Sequence, residues 1–323
     1  MVSMRHYHAM LAQPVTDVLA RCRKVLLAGC GGGYDILGAV PLYHQLRARG
    51  VEIHLASLSF TYLNGLDGAV QDGEHPNLYA VGAASATALK YCPEAWLAAF
   101  LDARFGGGHV VHCFDKTGVR PLRDAYAALV ARLGIDAIVL VDGGIDAVLR
   151  GDERSIGTPS EDLASLAAVH ALDTPGLTKI LACVGMGSEL RDGICHADAL
   201  ERIAVLTRRG AFLGAAAMVP GTAGGDLYLD AVAHVFAGQA DLKRSHVHAC
   251  VARACRGDFG DHGPHVWLSP LLTLFWFFDA TAVAADHAFL PALAETESIW
   301  DVSARVEAAR KGLPIRDRTT IPL

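Results

Sequence analysis

The chain has 323 residues, 52% of them hydrophobic and 19% charged, with a formal net charge of −6. That is enough apolar material for a sizeable core and excludes a disordered chain. The acidic balance argues against nucleic acid as a partner, since a basic surface is the usual requirement there. No charged-then-apolar leader opens the sequence. The longest apolar stretch, residues 271–278, is shorter than the roughly 20 residues of a membrane span. A cytoplasmic protein with no membrane partner is expected. The eight cysteines show no CxxC spacing and read as buried thiols in a reducing compartment. Arginine outnumbers lysine and alanine is abundant, which suits a bacterial, GC-rich source.

Residues 1–22 carry helical spacing (Met10, Leu11, Val15, Val18, Leu19). Residues 24–38, KVLLAGCGGGYDILG, read as a buried strand, a glycine turn and a helix start near residues 34–36 that continues to Arg49. A glycine turn before a helix lets backbone N–H groups approach an anionic ligand. Gly31, Gly32 and Gly33 are therefore candidate ligand-binding positions, and Asp35 could cap the helix or hold a hydroxyl or a metal. The second strand, residues 51–57, ends in Leu58, Ser59 and Phe60. It lacks the carboxylate that NAD-binding and S-adenosylmethionine-binding folds place there, so those cofactors are the alternative rather than the first expectation. No Gly-Lys-Ser/Thr follows the glycines, which excludes a P-loop.

The turn-rich residues 61–76 form a long connection, 78–81 a short strand and 93–104 a helix. A strand over 109–114 leads into Asp115-Lys116-Thr117-Gly118, where Lys116 is placed to stabilise developing negative charge, and a helix follows over 121–133. The strand 137–141 ends in Asp142-Gly143-Gly144-Ile145-Asp146, followed by Asp152, Glu153 and Asp162. Carboxylates crowded on one strand-end loop repel each other unless a cation, a hydroxyl-rich ligand or an arginine pairs them. Asp142 and Asp146 are the expected metal ligands and catalytic residues, with Gly143 and Gly144 beside the ligand. Hard oxygen donors suit magnesium, and the cofactor is otherwise not specified. Glu153 or Asp162 would be the general acid or base. Thr158, Pro159 and Glu161 read as a capping box for a helix to about Leu172.

A third unit of the same grammar runs from a strand over 178–184 through Gly185-Met186-Gly187-Ser188-Glu189 to a helix over 197–209, adding Gly187 to the ligand-binding candidates. Residues 211–217 form a strand, and 221–225 open a further helix. Residues 245–255, SHVHACVARAC, alternate and read as an edge strand with His246 and His248 on one face. With His262 and His265 they offer no compact zinc spacing. Residues 271–278 read as an apolar helix for a core or a subunit interface, so a homo-oligomer stays open. Residues 294–312 read as a polar helix and 314–323 as an extended end. His112 and Cys113, adjacent in a strand, point to opposite faces and form no dyad.

No linker or composition break divides the chain. The expectation is one α/β domain over 1–323, Rossmann-like, with a doubly wound, mostly parallel sheet in a core of about 20–260 and a helical C-terminal addition of about 266–323. The strings GCGGGYDILGA, VDGGIDAVLRGDE and GTPSEDLASLAA resemble the bacterial and archaeal proteins grouped as domain of unknown function 1152. The resemblance implies a Rossmann-like fold and the location of the site, with no reaction to carry over. At VGMGSEL an aspartate is expected near the second glycine, where Ser188 and Glu189 stand. The expected function is an enzyme acting by transfer or hydrolysis on a small anionic, phosphorylated or nucleotide-like substrate, with magnesium assisting. A non-catalytic ligand-binding or regulatory protein is the alternative.

Overall fold

A computed structural model describes residues 13–263 and 266–317. The strands are β1 (Lys24–Gly29), β2 (Glu52–Leu58), β3 (Val70–Gln71), β4 (Leu78–Gly82), β5 (Val110–Phe114), β6 (Ala137–Asp142), β7 (Thr178–Val184), β8 (Phe212–Ala217), β9 (Gly260–Asp261), β10 (Trp267–Leu268) and β11 (Leu274–Asp279). The helices are α1 (Pro14–Leu19), α2 (Val40–Ala48), α3 (Pro93–Phe105), α4 (Val119–Leu133), α5 (Pro159–His170), α6 (His196–Arg208), α7 (Ala223–Gly238), α8 (His246–Cys255), α9 (Ala280–Ala285) and α10 (Ile299–Lys311). A nine-stranded sheet runs in the order β3-β4-β5-β2-β1-β6-β7-β11-β8. The central strands β5, β2, β1, β6 and β7 are parallel, and β4 and β11 join them antiparallel.

Alternation along β1 explains the layering. Val25 and Leu27 face a core built with α2, α3, α7 and α8, whereas Leu26 and Ala28 face one built with α4, α5, α6, α9 and α10. Both faces of the sheet are thus covered, as in a Rossmann-like α/β fold. The chain winds outward from β1 through β2 to β5, then returns to the other side of β1 as β6. The crevice between the C-terminal ends of β1 and β6 is the topological switch point, where open α/β sheets bind ligands. Cys30 N–H donates to the Val141 carbonyl at 2.8 Å across that gap.

Two elements differ from the sequence reading. Residues 245–255 form helix α8, capped by the Ser245 hydroxyl, which accepts from His248 N–H at 3.2 Å. His246 and His248 therefore do not share a strand face. Residues 274–279 form β11, inside the sheet between β7 and β8. Its aromatic run is apolar because the strand is covered on both sides. The C-terminal part thus contributes a strand as well as helices α9 and α10. The N-terminal helical reading is met by α1; Met10 and Leu11 lie outside the described residues, as do His265 and residues 318–323. Among the described residues no helix is long and apolar enough to cross a membrane. All eight cysteines are buried.

Candidate active site

The glycine turn after β1 does not present its amides to an external anion. Gly31 N–H and Gly32 N–H donate to Asp35 Oδ2 at 2.7 and 3.4 Å, and Gly33 N–H donates to the Leu58 carbonyl at 3.0 Å. The turn therefore orients a carboxylate rather than seating a phosphate. A side chain at Gly31 would strike Asp35 Oδ2 and Asp162 Oδ1, and one at Gly143 would come within 2.6 Å of Asp35 Oδ1. Close approach of carboxylates is what these glycines permit.

Four further acids converge on Asp35. Asp142 is the last residue of β6, Asp146 opens the short 3₁₀ turn Asp146–Val148, Asp162 lies in the first turn of α5, and Glu189 lies in the 3₁₀ segment Ser188–Asp192. Each of these four is buried. Backbone amides hold most of them: Glu189 Oε2 accepts from Ile145 N–H at 2.7 Å, Asp146 Oδ2 from Thr158 N–H at 3.1 Å, and Asp142 Oδ2 from Ala147 N–H at 3.4 Å. Asp162 Oδ1 has no partner. None of the five takes part in an ion pair among the described residues.

The electrostatics follow from that crowding. Burial pushes the Asp142, Asp162 and Glu189 carboxyls well above the ordinary range, and Asp146 adds to the effect on each. Asp35 rises to about 7 because burial outweighs its hydrogen bonds from Gly31 and Gly143. Asp146 is also raised by burial, but a hydrogen bond from Glu189 pulls it back down. Both carboxyls of that pair are thus raised, chiefly by burial.

Oxygens of Asp35, Asp142 and Asp162 lie within 4.8 Å of one another. Oxygens on opposite sides of a bound magnesium or calcium ion stand about 4–5 Å apart, so the three fit one hard cation. Asp146, expected as a metal ligand from sequence, lies beside this triad, bonded to Thr158 N–H and Glu189. Above the acids opens a cleft of about 380 Å³, whose other lining residues include Phe60, Thr158, Glu161, Arg191 and Lys243.

The remaining sequence candidates are distributed differently. Gly31, Gly32 and Gly143 line the cleft, while Gly33 packs against the Tyr91 hydroxyl. A side chain at Gly144 would meet the Glu189 carboxyl at 2.6 Å, and one at Gly187 would meet His196 at 2.7 Å. Gly144 thus makes room for an acid of the cluster, and Gly187 for a helix side chain. Lys116 is exposed, 4.7 Å above the Phe60 ring rather than over the acids. Glu153 lies apart, bound to Arg316 at 3.0 Å and to the N–H groups of Arg150 and Gly151. It is paired with an arginine and does not line the cleft. The capping box does not form: Thr158 makes no side-chain cap, and Glu161 lines the cleft instead. Cys30 is fully buried, and burial together with Asp162 holds its thiol far from ionisation.

Sequence reasoning passed over Arg191 and Lys243 because single basic residues in loops carry no spacing signal. It left the role of Glu189 open, which burial beside Asp146 now places in the cluster. The chain matches no curated protein. The match to the family model begins beyond the first glycine turn but takes in Asp142, Asp146, Asp162 and Glu189. That model, described as "protein of unknown function (DUF1152)", matches residues 84–311, more than half of the chain, and the chain therefore belongs to this family.

Proposed function

We propose that this protein is a magnesium-assisted enzyme that acts by transfer or hydrolysis on a small phosphorylated or nucleotide-like substrate. The observation that carries the reading is the convergence of Asp35, Asp142 and Asp162 at the floor of a cleft rimmed by Arg191 and Lys243. Uncompensated buried carboxylates are costly, and a divalent cation removes that cost. A cation held there would polarise a substrate oxygen as a Lewis acid. The residues supply the rest. Gly31 and Gly143 amides fix Asp35, while Arg191 and Lys243 offer countercharge to an anionic substrate. Glu189, which lines the cleft beside Asp146 and whose carboxyl burial pushes up, would serve as the general acid. A sensor for a bare anion would not surround its ligand with acids, which favours an enzyme over a passive anion-binding protein. The end of β2, Leu58-Ser59-Phe60, carries no carboxylate of its own and gives no support to an NAD-dependent or S-adenosylmethionine-dependent reaction.

A thermal-shift screen of sugar phosphates, nucleotides, NAD and S-adenosylmethionine, with and without Mg²⁺, tests the reading. A ligand at a hundred times its dissociation constant adds about 2.7 kcal/mol. The expected result is a Mg²⁺-dependent shift with a phosphorylated compound that turnover assays then convert into a product. A Mg²⁺-independent shift with NAD or S-adenosylmethionine contradicts it.

A further inference from the structure

The cleft over the carboxylates continues past Gly32, Phe60 and Val247 into a second compartment of about 510 Å³ whose chemistry is the reverse of the floor. Arg191, Lys243 and Arg244 line it. Lys243 and Arg244 are exposed, and neither has a carboxylate partner within 4.0 Å among the described residues. Arg191 has Asp192 at 3.3 Å. Helix α8 starts at His246 in the same wall, so the positive end of its dipole borders the compartment.

The apolar part of the lining is aromatic. Tyr34 and Tyr91 meet edge to face at 5.6 Å, and the Tyr34 hydroxyl donates to the Lys243 carbonyl at 3.2 Å. Phe60, at the junction of the two compartments, leaves 45% of its surface exposed.

Lys243 and Arg244, without carboxylate partners among the described residues, thus stand beside carboxylates without cation partners. Asp162 Oδ1, in a side chain only 5% exposed, faces the same cleft with no partner of its own. A ligand that satisfies both sides must bring a cation to the acids and anionic oxygens to the arginines and lysine. A diphosphate complexed to a divalent cation does both, and guanidinium groups match phosphoryl oxygens in geometry. The exposed ring of Phe60, with Tyr91 in the same lining, suits a planar base.

We propose that the two compartments form one site for a nucleoside diphosphate–divalent cation complex. The cation sits on Asp35, Asp142 and Asp162, the phosphoryl oxygens face Arg191, Lys243 and Arg244, and the base lies against Phe60 and Tyr91. This rests on the cation reading above and adds to it the anion and base subsites.

Calorimetry with Mn²⁺ alone, then with ADP, pyrophosphate or adenosine in its presence and absence, tests the proposal on the wild type and on two variants. Mn²⁺ alone is expected to bind the wild type, Phe60→Ala, and the triple variant Arg191→Gln/Lys243→Gln/Arg244→Gln alike. ADP is expected to bind only with Mn²⁺. The triple variant is expected to weaken ADP and pyrophosphate by about tenfold or more. Phe60→Ala is expected to weaken ADP by about tenfold and leave pyrophosphate unchanged. Mn²⁺ binding without ADP binding, or equal ADP affinity in the triple variant, overturns this inference and leaves the cation reading standing. Pyrophosphate binding as tightly as ADP overturns the base subsite, and absence of Mn²⁺ binding overturns both readings.

Discussion

Two groups of buried acids flank the loop after β6, and they are neutralised in opposite ways. Asp152 and Glu153 are tied down by the chain itself. Arg316 reaches both at 3.1 and 3.0 Å, Arg150 adds a second contact to Asp152, and Arg310 donates to the Gly151 and Glu153 carbonyls. Asp142 and Asp146, a few residues earlier, join Asp35, Asp162 and Glu189 without any arginine or lysine in an ion pair among the described residues. The same residue type at similar burial is an anchor in one place and a standing electrostatic cost in the other. The comparison teaches that acid content alone does not mark a site. What marks it is burial without internal countercharge, which is tolerable only when protons or an external cation supply the balance.

The comparison can be broken at the paired end first. Arg316→Ala leaves Glu153 buried beside lost countercharge and should destabilise the protein by about 3 kcal/mol in chemical denaturation. A change near zero would mean that the Arg150 and Gly151 amides already suffice.

The pH dependence should separate the two electrostatic regimes. Asp35 has its carboxyl raised from 3.8 to about 7, so between those values the folded state keeps a proton that the unfolded chain has lost. Stability without metal therefore falls as pH rises through that window, by up to about 1.4 kcal/mol per pH unit for each such group. Asp72, held down to about 2 mainly by the Arg132 guanidinium, behaves in the opposite sense. Its contribution is present above the ordinary carboxylate range and is lost as pH falls toward 2. Denaturation midpoints across pH, with chelator present, check the sign. A metal-free protein that gains stability from mildly acidic to neutral pH would contradict the crowded-acid account.

A smaller effect of opposite sign to the Arg316 variant is expected from Asp162→Asn. It removes a like charge and should raise metal-free stability at mildly alkaline pH by about 1 kcal/mol while abolishing cation binding. The smallest stability change belongs to Gly31→Ala. The nearest atoms to its added methyl are the carboxyl ends of Asp35 and Asp162, so the fold should hold. Cation affinity should fall by about tenfold as those oxygens are pushed apart.

Much of this was legible in the sequence. The strand, turn and acid units around β1, β6 and β7 stand out because buried parallel strands are continuous apolar runs that end abruptly in glycine. Asp142 and Asp146 were visible for the same reason, and Asp162 as one more acid in the carboxylate-rich stretch that follows them. The two misread elements share one cause: short runs fit more than one period. SHVHACVARAC alternates as a strand does, yet Ser245 supplies a helix cap, and that signal outweighs the alternation. LFWFFD is uniformly apolar, and its length and aromatic content fit a covered strand better than a helix. The use of the glycine amides by Asp35 was not legible, because whether an N–H meets an outside anion or a neighbouring carboxylate depends on side-chain direction. The meeting of Glu189 with Asp146, and the placing of Arg191 and Lys243 on one cleft, depend on loops distant in sequence, and no local spacing encodes them.

The most direct test of the central claim is a calorimetric titration of the metal-free protein with Mg²⁺ and Mn²⁺ at about pH 6 and about pH 8, in buffers of differing ionisation enthalpy. The account predicts one divalent ion per chain, protons released on binding, tighter binding at the higher pH, and loss of all three in Asp142→Asn and Asp162→Asn. Absence of binding, or binding without proton release and unchanged in those variants, would contradict it.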